Sequence, residues 1–222
     1  MKKLFSAFCL TVITGVFAFA QSSGSDYKKA EGYVGYSNQQ IDTGVNSNSG
    51  NGTASDNFFN DRFTLHGVEV AGVYNVSRYV GLKADFSAAF RNQDFSFTDG
   101  TGTTANTISF KSSNSLYNAL GGVQIKDNSS DARVKPFAHA LVGVGHGRIK
   151  AKNVTCSNPL VTCTNFAGTF TDTGLAGAFG GGLDIKLSDR VDLRAIQVDY
   201  NPIRFDGRTD NNFRFGIGFV FK

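Results

Sequence analysis

The 222-residue chain contains no tryptophan, one methionine, three prolines, three cysteines and three histidines. So few sulfur and imidazole ligands leave little material for a metal or redox centre. No Lys/Arg run occurs, and there is no Arg-rich helical pattern. The formal charge of +4 therefore gives no footing for nucleic-acid binding. Past residue 20 there is no apolar run long enough for a spanning helix, which takes about 20 residues. Membrane residence of the remainder would then require a closed barrel, the other structure that satisfies its own backbone in lipid. What the chain does have is 26 glycines and 21 phenylalanines, a composition that fits many strands and few helices.

The first 20 residues read as a cleaved secretory signal. Lys2 and Lys3 form the charged start, residues 4–19 the apolar stretch, and Ala18-Phe19-Ala20 a small-x-small cleavage site before Gln21. The stretch is short for a membrane anchor. Cys9 lies within it and lacks the small-residue context of a lipoprotein site. Cleavage removes Lys2 and Lys3 from the 22 basic residues and leaves 20 against 18 acidic ones. Residues 21–222 are expected to form a single domain. Cys156 and Cys163 remain in the exported chain, in a polar segment with Pro159 between them, and are expected to pair as a disulfide across a loop.

Period-two alternation runs through this domain. Its clearest stretch is 79–90, where Val80, Leu82, Ala84, Phe86, Ala88 and Phe90 alternate with Gly81, Lys83, Asp85, Ser87 and Ala89. Eight strands are expected, at 33–37 (starting near Lys28), 63–74, 79–90, 113–125, 134–147, 173–187, 191–200 and 212–221. Short turns at 75–78, 126–133 and 188–190 alternate with polar loops at 38–61, 91–109, 148–171 and 201–211. A tilted strand of roughly 9–11 residues crosses a bilayer. Short turns at one rim and long loops at the other are the outer-membrane pattern, with both chain ends on the periplasmic side. The fold class is thus all-β: an eight-stranded antiparallel up-and-down transmembrane β-barrel.

The apolar face is assigned to lipid. The opposite face combines small residues with Glu69, Lys83, Asp85, Asp184, Lys186, Asp199 and Arg214. That mixture suits the narrow interior of eight strands, where opposite charges can pair. Lipocalins, which are apolar inside, usually carry a tryptophan near the first strand, and this chain has none. The last strand places Phe213, Phe215, Ile217, Phe219 and Phe221 at alternate positions around Arg214, Gly216, Gly218 and Val220. As a soluble edge it would invite aggregation.

With this layout, and with the stretches GVEVAGVYNVSRYVGL from Gly67, VKPFAHA from Val134, QVDY from Gln197 and the closing 213–221, residues 27–222 resemble the OmpA-like and OmpX-like eight-stranded outer-membrane barrels. The resemblance implies outer-membrane localisation and recognition of the terminal aromatic strand by the barrel-assembly machinery. The aromatic Phe221 stands one place from the end, before Lys222. OmpA's peptidoglycan-binding domain has no counterpart in this sequence, so that tethering role is not expected. Interior salt bridges that narrow a small pore are a further implication of the resemblance. The simpler reading is that the charges pair and plug the barrel.

Enzymatic alternatives find little support. A lipid A deacylase needs a His and a Ser together on a lipid-facing strand. His66, His139 and His146 are followed by no hydroxyl at strand spacing, and each reads as a wall or rim residue. No nucleophile–base–orienter set is visible. The loop-like Gly143-Val-Gly-His-Gly147 opens no helix, so it lacks the context of a phosphate site. No catalytic, cofactor or metal residues are assigned. The expected protein is a non-enzymatic monomer whose partners are outer-membrane lipid, the assembly machinery and a surface ligand held by its loops. A narrow ion channel is the alternative, and a lipid-acting enzyme the third.

Overall fold

The computed structural model describes residues 27–42, 62–99, 106–128, 132–157 and 167–222. The expected signal segment, Cys163 and most of the first expected loop lie outside them. Eight strands follow one another as β1 (Ala30–Asp42), β2 (Arg62–Asn75), β3 (Val80–Asp99), β4 (Asn106–Lys126), β5 (Val134–Cys156), β6 (Gly168–Lys186), β7 (Val191–Phe205) and β8 (Arg208–Phe221). Each pairs antiparallel with the next, and β1 pairs with β8 from Gly32↔Phe221 to Gln40↔Phe213. The sheet therefore closes on itself, as a lipid-spanning sheet must.

Alternation fixes which side chains face lipid. Val68, Leu82, Ile125 and Val142 are each more than half exposed on the outer wall, while Glu69, Lys83, Gln124 and Leu141 beside them are buried inside. In water such an exterior would be untenable; in a bilayer it is the stabilising surface. The interior accommodates one large ring at a close approach. A Cβ on Gly35 would stand 2.1 Å from the Tyr33 hydroxyl oxygen, so only glycine lets that ring fold back along its own strand.

The turns at the end where β1 begins and β8 ends follow a shared plan. In the β2–β3 turn, Val76 and Ser77 donate their N–H groups to the Val80 carbonyl, and Ser77 Oγ accepts from Val80 N at 3.1 Å. In the β6–β7 turn, Leu187 and Ser188 donate to the Val191 carbonyl, and Ser188 Oγ accepts from Val191 N at 3.1 Å. Lys186 also pairs with Asp189 at 3.0 Å, and this hydrogen bond and charge hold the Asp189 carboxyl below the usual carboxylate range.

At the opposite end the strands run much further than alternation alone indicates. Residues 38–42, expected as loop, belong to β1 and pair with 62–66. The expected loop at 91–109 is largely hairpin, with β3 and β4 paired out to Asp99↔Asn106. The expected loop at 148–171 contains the end of β5 and the start of β6. The expected loop at 201–211 is a two-residue turn, Asp206-Gly207, between the paired Phe205 and Arg208. Both turn residues have positive φ (41° and 82°), the type I′ geometry for which Asp-Gly is suited.

These extensions make the wall uneven. Pairing of β2 with β3 stops at His66↔Phe90, whereas β3 continues nine residues further with β4. At about 3.3 Å per residue this is roughly 30 Å of additional strand. The upper parts of β3, β4, β5 and β6 thus form a fin standing over the barrel mouth. A bulge at Asn153, whose φ is 52°, lets Lys111 and Ser109 pair with Lys152 and Thr155 within it. Cys156, at the end of β5, is disulfide-bonded.

The apolar face changes side along these strands. In the membrane zone Phe86, Tyr117, Val144 and Leu175 point outward. In the fin, Phe95, Phe110, Ile149 and Phe170 occupy the positions that continue the inward set. Phe95 and Phe110 stack at 5.3 Å between ring centroids. The outward face of the fin carries Lys111, Arg148, Lys150 and Lys152 instead.

Candidate functional site

The barrel interior is built in three layers. Nearest the start of β1 and the end of β8, Lys126 pairs with Glu31 and lies 3.3 Å from Asp184. Arg194 grips Asp184 with two hydrogen bonds, Nε to Oδ1 at 2.8 Å and Nη2 to Oδ2 at 3.2 Å. Its guanidinium also lies over the Phe137 ring at 3.9 Å and the Tyr33 ring at 4.5 Å. Lys222 closes this rim by pairing with Asp192.

The middle layer centres on Arg214. Nη1 donates to Asp85 Oδ1 at 2.7 Å, and Nε and Nη2 donate to Asp199 Oδ2 at 2.9 and 2.8 Å. Glu69 stands 3.6 Å from the same guanidinium. Lys83 lies 3.2 Å from Asp85 Oδ2 and 3.3 Å from His139 Nδ1, while His139 Nε2 lies 2.9 Å from Asp199 Oδ1. Gln197 joins the layers: its amide donates to Glu69 and Asp199, each at 2.8 Å, and its carbonyl accepts from Arg194 at 2.8 Å. Among the described residues, six carboxylates (Glu31, Glu69, Asp85, Asp184, Asp192 and Asp199) and five fixed cations (Lys83, Lys126, Lys135, Arg194 and Arg214) are buried, and the side chain of Lys222 adds a sixth cation. Charges removed from water must be matched in this way.

Of the seven residues expected inside, Glu69, Lys83, Asp85, Asp184, Asp199 and Arg214 lie within these two layers. Lys186 does not: it ends β6 at the rim and turns to Asp189. Sequence reasoning missed Glu31, Lys126, Lys135, His139, Asp192 and Arg194. His139 and Lys135 share a parity with Leu141 on β5 and were readable from that strand's alternation. Arg194 and Asp192 were not, because Ala195 and Ile196 together oppose Ile217 in a bulge. The extra residue shifts the phase, so strict alternation counted back from Gln197 would have sent Arg194 into lipid.

The third layer interleaves an apolar cluster with the hydrogen-bonded Gln39, Ser87, Asn118 and Asn201. Leu65, Ala89, Leu116, Leu120, Leu141, Ala176, Ala178 and Ile203 pack into one buried cluster above the charges, with Ile41, Phe63 and Phe205 against its upper side. The alternating glycines and charges gave no hint of it, since its members are spread over most of the strands. Above this layer a cavity of about 760 Å³ opens between the barrel wall and the fin.

Two histidines lie on the outer wall at the upper edge of the apolar band. His66 stacks on Tyr36 with ring centroids 6.0 Å apart, and its Nδ1 is hydrogen-bonded to the Tyr36 hydroxyl. His146 Nδ1 lies 2.7 Å from Thr173 Oγ1. In each pair the hydroxyl comes from the neighbouring strand. Asn38 Nδ2 also reaches His66 Nδ1, at 3.4 Å, and among the described residues no carboxylate forms an ion pair with either imidazole to orient it as a base. Among the described residues, no group of three or more His, Cys, Asp or Glu could hold a metal. Aromatic rings at this level, including Phe90 edge-on to Tyr117 and Tyr200 beside Phe213, mark a lipid interface.

In the closing strand, Phe213, Phe215, Ile217, Phe219 and Phe221 line the outer wall, with Ile217 and Phe219 nearly half exposed.

Solved structures that align with this chain include Ail, the attachment invasion locus protein of Yersinia pestis, at 16% identity over 87% of this chain and 98% of that one (TM-score 0.48). Neisserial surface protein A aligns at 10% identity over 87% and 96% (TM-score 0.48). The N-terminal barrel of Pseudomonas aeruginosa OprF aligns at 10% identity over 88% and 99% (TM-score 0.39). A search of curated proteins returned no match. The model of one family, the outer membrane protein beta-barrel domain, matches residues 7–221, nearly the whole sequence, and the chain belongs to that family.

Proposed function

We propose that this protein is a non-enzymatic outer-membrane anchor that displays the β3–β6 fin at the cell surface, after export directed by residues 1–20. The observation that carries this reading is the contrast between a filled interior and a tall, unevenly raised wall. A matched charge network and an apolar layer block the lumen one above the other. An ion entering from the mouth would lose its water against Leu65, Leu116 and Ile203 before it reached the buried polar and charged groups below. The fin's outward face, with Lys111, Arg148, Lys150 and Lys152 above the aromatic belt, lies at the height of the anionic sugars and phosphates of the outer leaflet. Its basic character supports contact with lipopolysaccharide.

The test combines two measurements on the full chain. An epitope inserted between Asp99 and Asn106 is expected to be labelled on intact cells. Planar-bilayer recording is expected to show no steady conductance. A steady conductance abolished by substituting Lys83 or Arg214 would make the protein a channel instead. Altered lipid A mass in cells carrying the protein would make it an enzyme.

A further inference from the structure

We propose that the extracellular mouth is a binding site for a small amphipathic cation, an ammonium head carried on an apolar or aromatic body. The cavity of about 760 Å³ falls within the roughly 300–1,000 Å³ of small-molecule sites, and barrel mouths are among the places where such sites form. Its floor is the top of the apolar plug, with Leu65 and Leu116 buried and Phe63 and Phe205 packed against them. Its fin-side wall holds Phe170 and Ile149, which are 73% and 54% exposed. These two side chains occupy the inward set of their strands yet meet water. A ligand's apolar body would cover them and recover about 25 cal/mol for each Å² removed from water.

The rim sets the sign of the head group. Asp172, Asp206 and Asp210 line the cavity. Asp210 is already matched by Arg208 at 2.8 Å, and Asp172 Oδ1 accepts from Thr173 N at 2.7 Å, which leaves Asp172 Oδ2 and the Asp206 carboxylate to the incoming ligand. Arg148 also borders the cavity, so one guanidinium stands against the two remaining carboxylates and the rim keeps a negative balance. An ammonium would therefore meet a negative balance at the rim and the exposed Phe170 ring below it, both of which attract cations, while the Phe63 ring already carries the Arg91 guanidinium at 4.3 Å. A carboxylate on the same body would meet repulsion.

The absence of tryptophan makes the test direct. Phe170→Trp creates a sole indole reporter at the cavity wall in the full chain, refolded into zwitterionic lipid nanodiscs. Titration with 4-phenylbutylammonium is expected to give a saturable fluorescence change. The matched anion 4-phenylbutyrate and the neutral 4-phenylbutanol are expected to bind at least tenfold more weakly. Asp172→Asn combined with Asp206→Asn should weaken the cation about tenfold and leave the neutral alcohol unchanged. Asparagine in place of Asp206 is also suited to the type I′ turn, so the variant retains the hairpin. Saturation-transfer NMR on the unsubstituted protein gives the same comparison without a reporter, should the Phe170→Trp substitution disturb assembly. An unsaturable response, equal binding of cation and anion, or indifference to the loss of both carboxylates would overturn the assignment.

Discussion

Arg214 on β8 and Asp85 on β3 meet at 2.7 Å although 129 residues separate them and their strands are not neighbours in the sheet. The bond crosses the lumen, so it ties opposite walls together. Arg214→Met would leave Asp85, Asp199 and Glu69 buried without their shared cation. The expected loss is about 3–5 kcal/mol, read from urea unfolding followed by far-UV circular dichroism. Adding Asp85→Asn should recover part of that loss. Strict additivity of the two single changes would show that the pair is not coupled.

The Asp206-Gly207 turn offers a test of backbone strain alone. A Cβ on Gly207 meets no atom within 4 Å, yet its φ of 82° disfavours any L side chain. Gly207→Ala should therefore cost about 1–2 kcal/mol in the same unfolding assay, with no change in packing. A neutral result would mean that the hairpin relaxes to another turn type.

The β7 bulge makes an unusual pair of deletions informative. Removing Ala195 takes out the supernumerary residue and leaves Asp192, Arg194, Gln197 and Asp199 all facing inward. Removing Leu193 instead turns Asp192 toward lipid and away from Lys222. Refolding yield in lipid vesicles is expected to survive the first deletion and to collapse in the second. Equal yields would contradict the assigned phase.

These positions also show what could be read from the amino-acid order. Within the bilayer, one wall of each strand meets hydrocarbon and the other meets a charged lumen, so alternation is strong. It located all eight strands and most of the middle charge layer. Above the bilayer the solvent on the outer face changes from lipid to water, and the apolar parity inverts, as from Phe90 to Phe95 or from Leu175 to Phe170. A reading that follows one phase ends the strand at that inversion and records a loop. The Asp-Gly pair at 206–207 was a legible hairpin signal, obscured by the polar residues around it. The Ala195 bulge was not legible, since nothing in the local residue types distinguishes an extra residue from a regular one.

The basic face of the fin predicts a lipid phenotype. Lys150→Glu with Lys152→Glu should lower the lipopolysaccharide phosphate that co-purifies with the folded barrel by several-fold. The loss should diminish at high salt, where exposed charges are screened over about 3 Å at 1 M. Retention unchanged by the substitutions would remove lipopolysaccharide from the proposed contacts.

For the fin tip, thiol labelling of the unreduced protein is expected to find Cys156 unreactive, with peptide mapping assigning its partner to Cys163. Alkylation of Cys156 without reductant would refute this.

The position of Arg214 on the final strand has a consequence for assembly. Before β8 docks, β2, β3 and β7 already carry Glu69, Asp85 and Asp199, with Lys83 beside the first two but the guanidinium that joins all three yet to arrive. An unclosed barrel is thus an electrostatically unfinished one, with surplus negative charge that needs water in the lumen. Sealing the β1–β8 seam delivers the missing cation and expels that water in a single step. Closure is therefore a neutralisation as much as a pairing of strands, and a barrel lacking its last stave should stay wet and open.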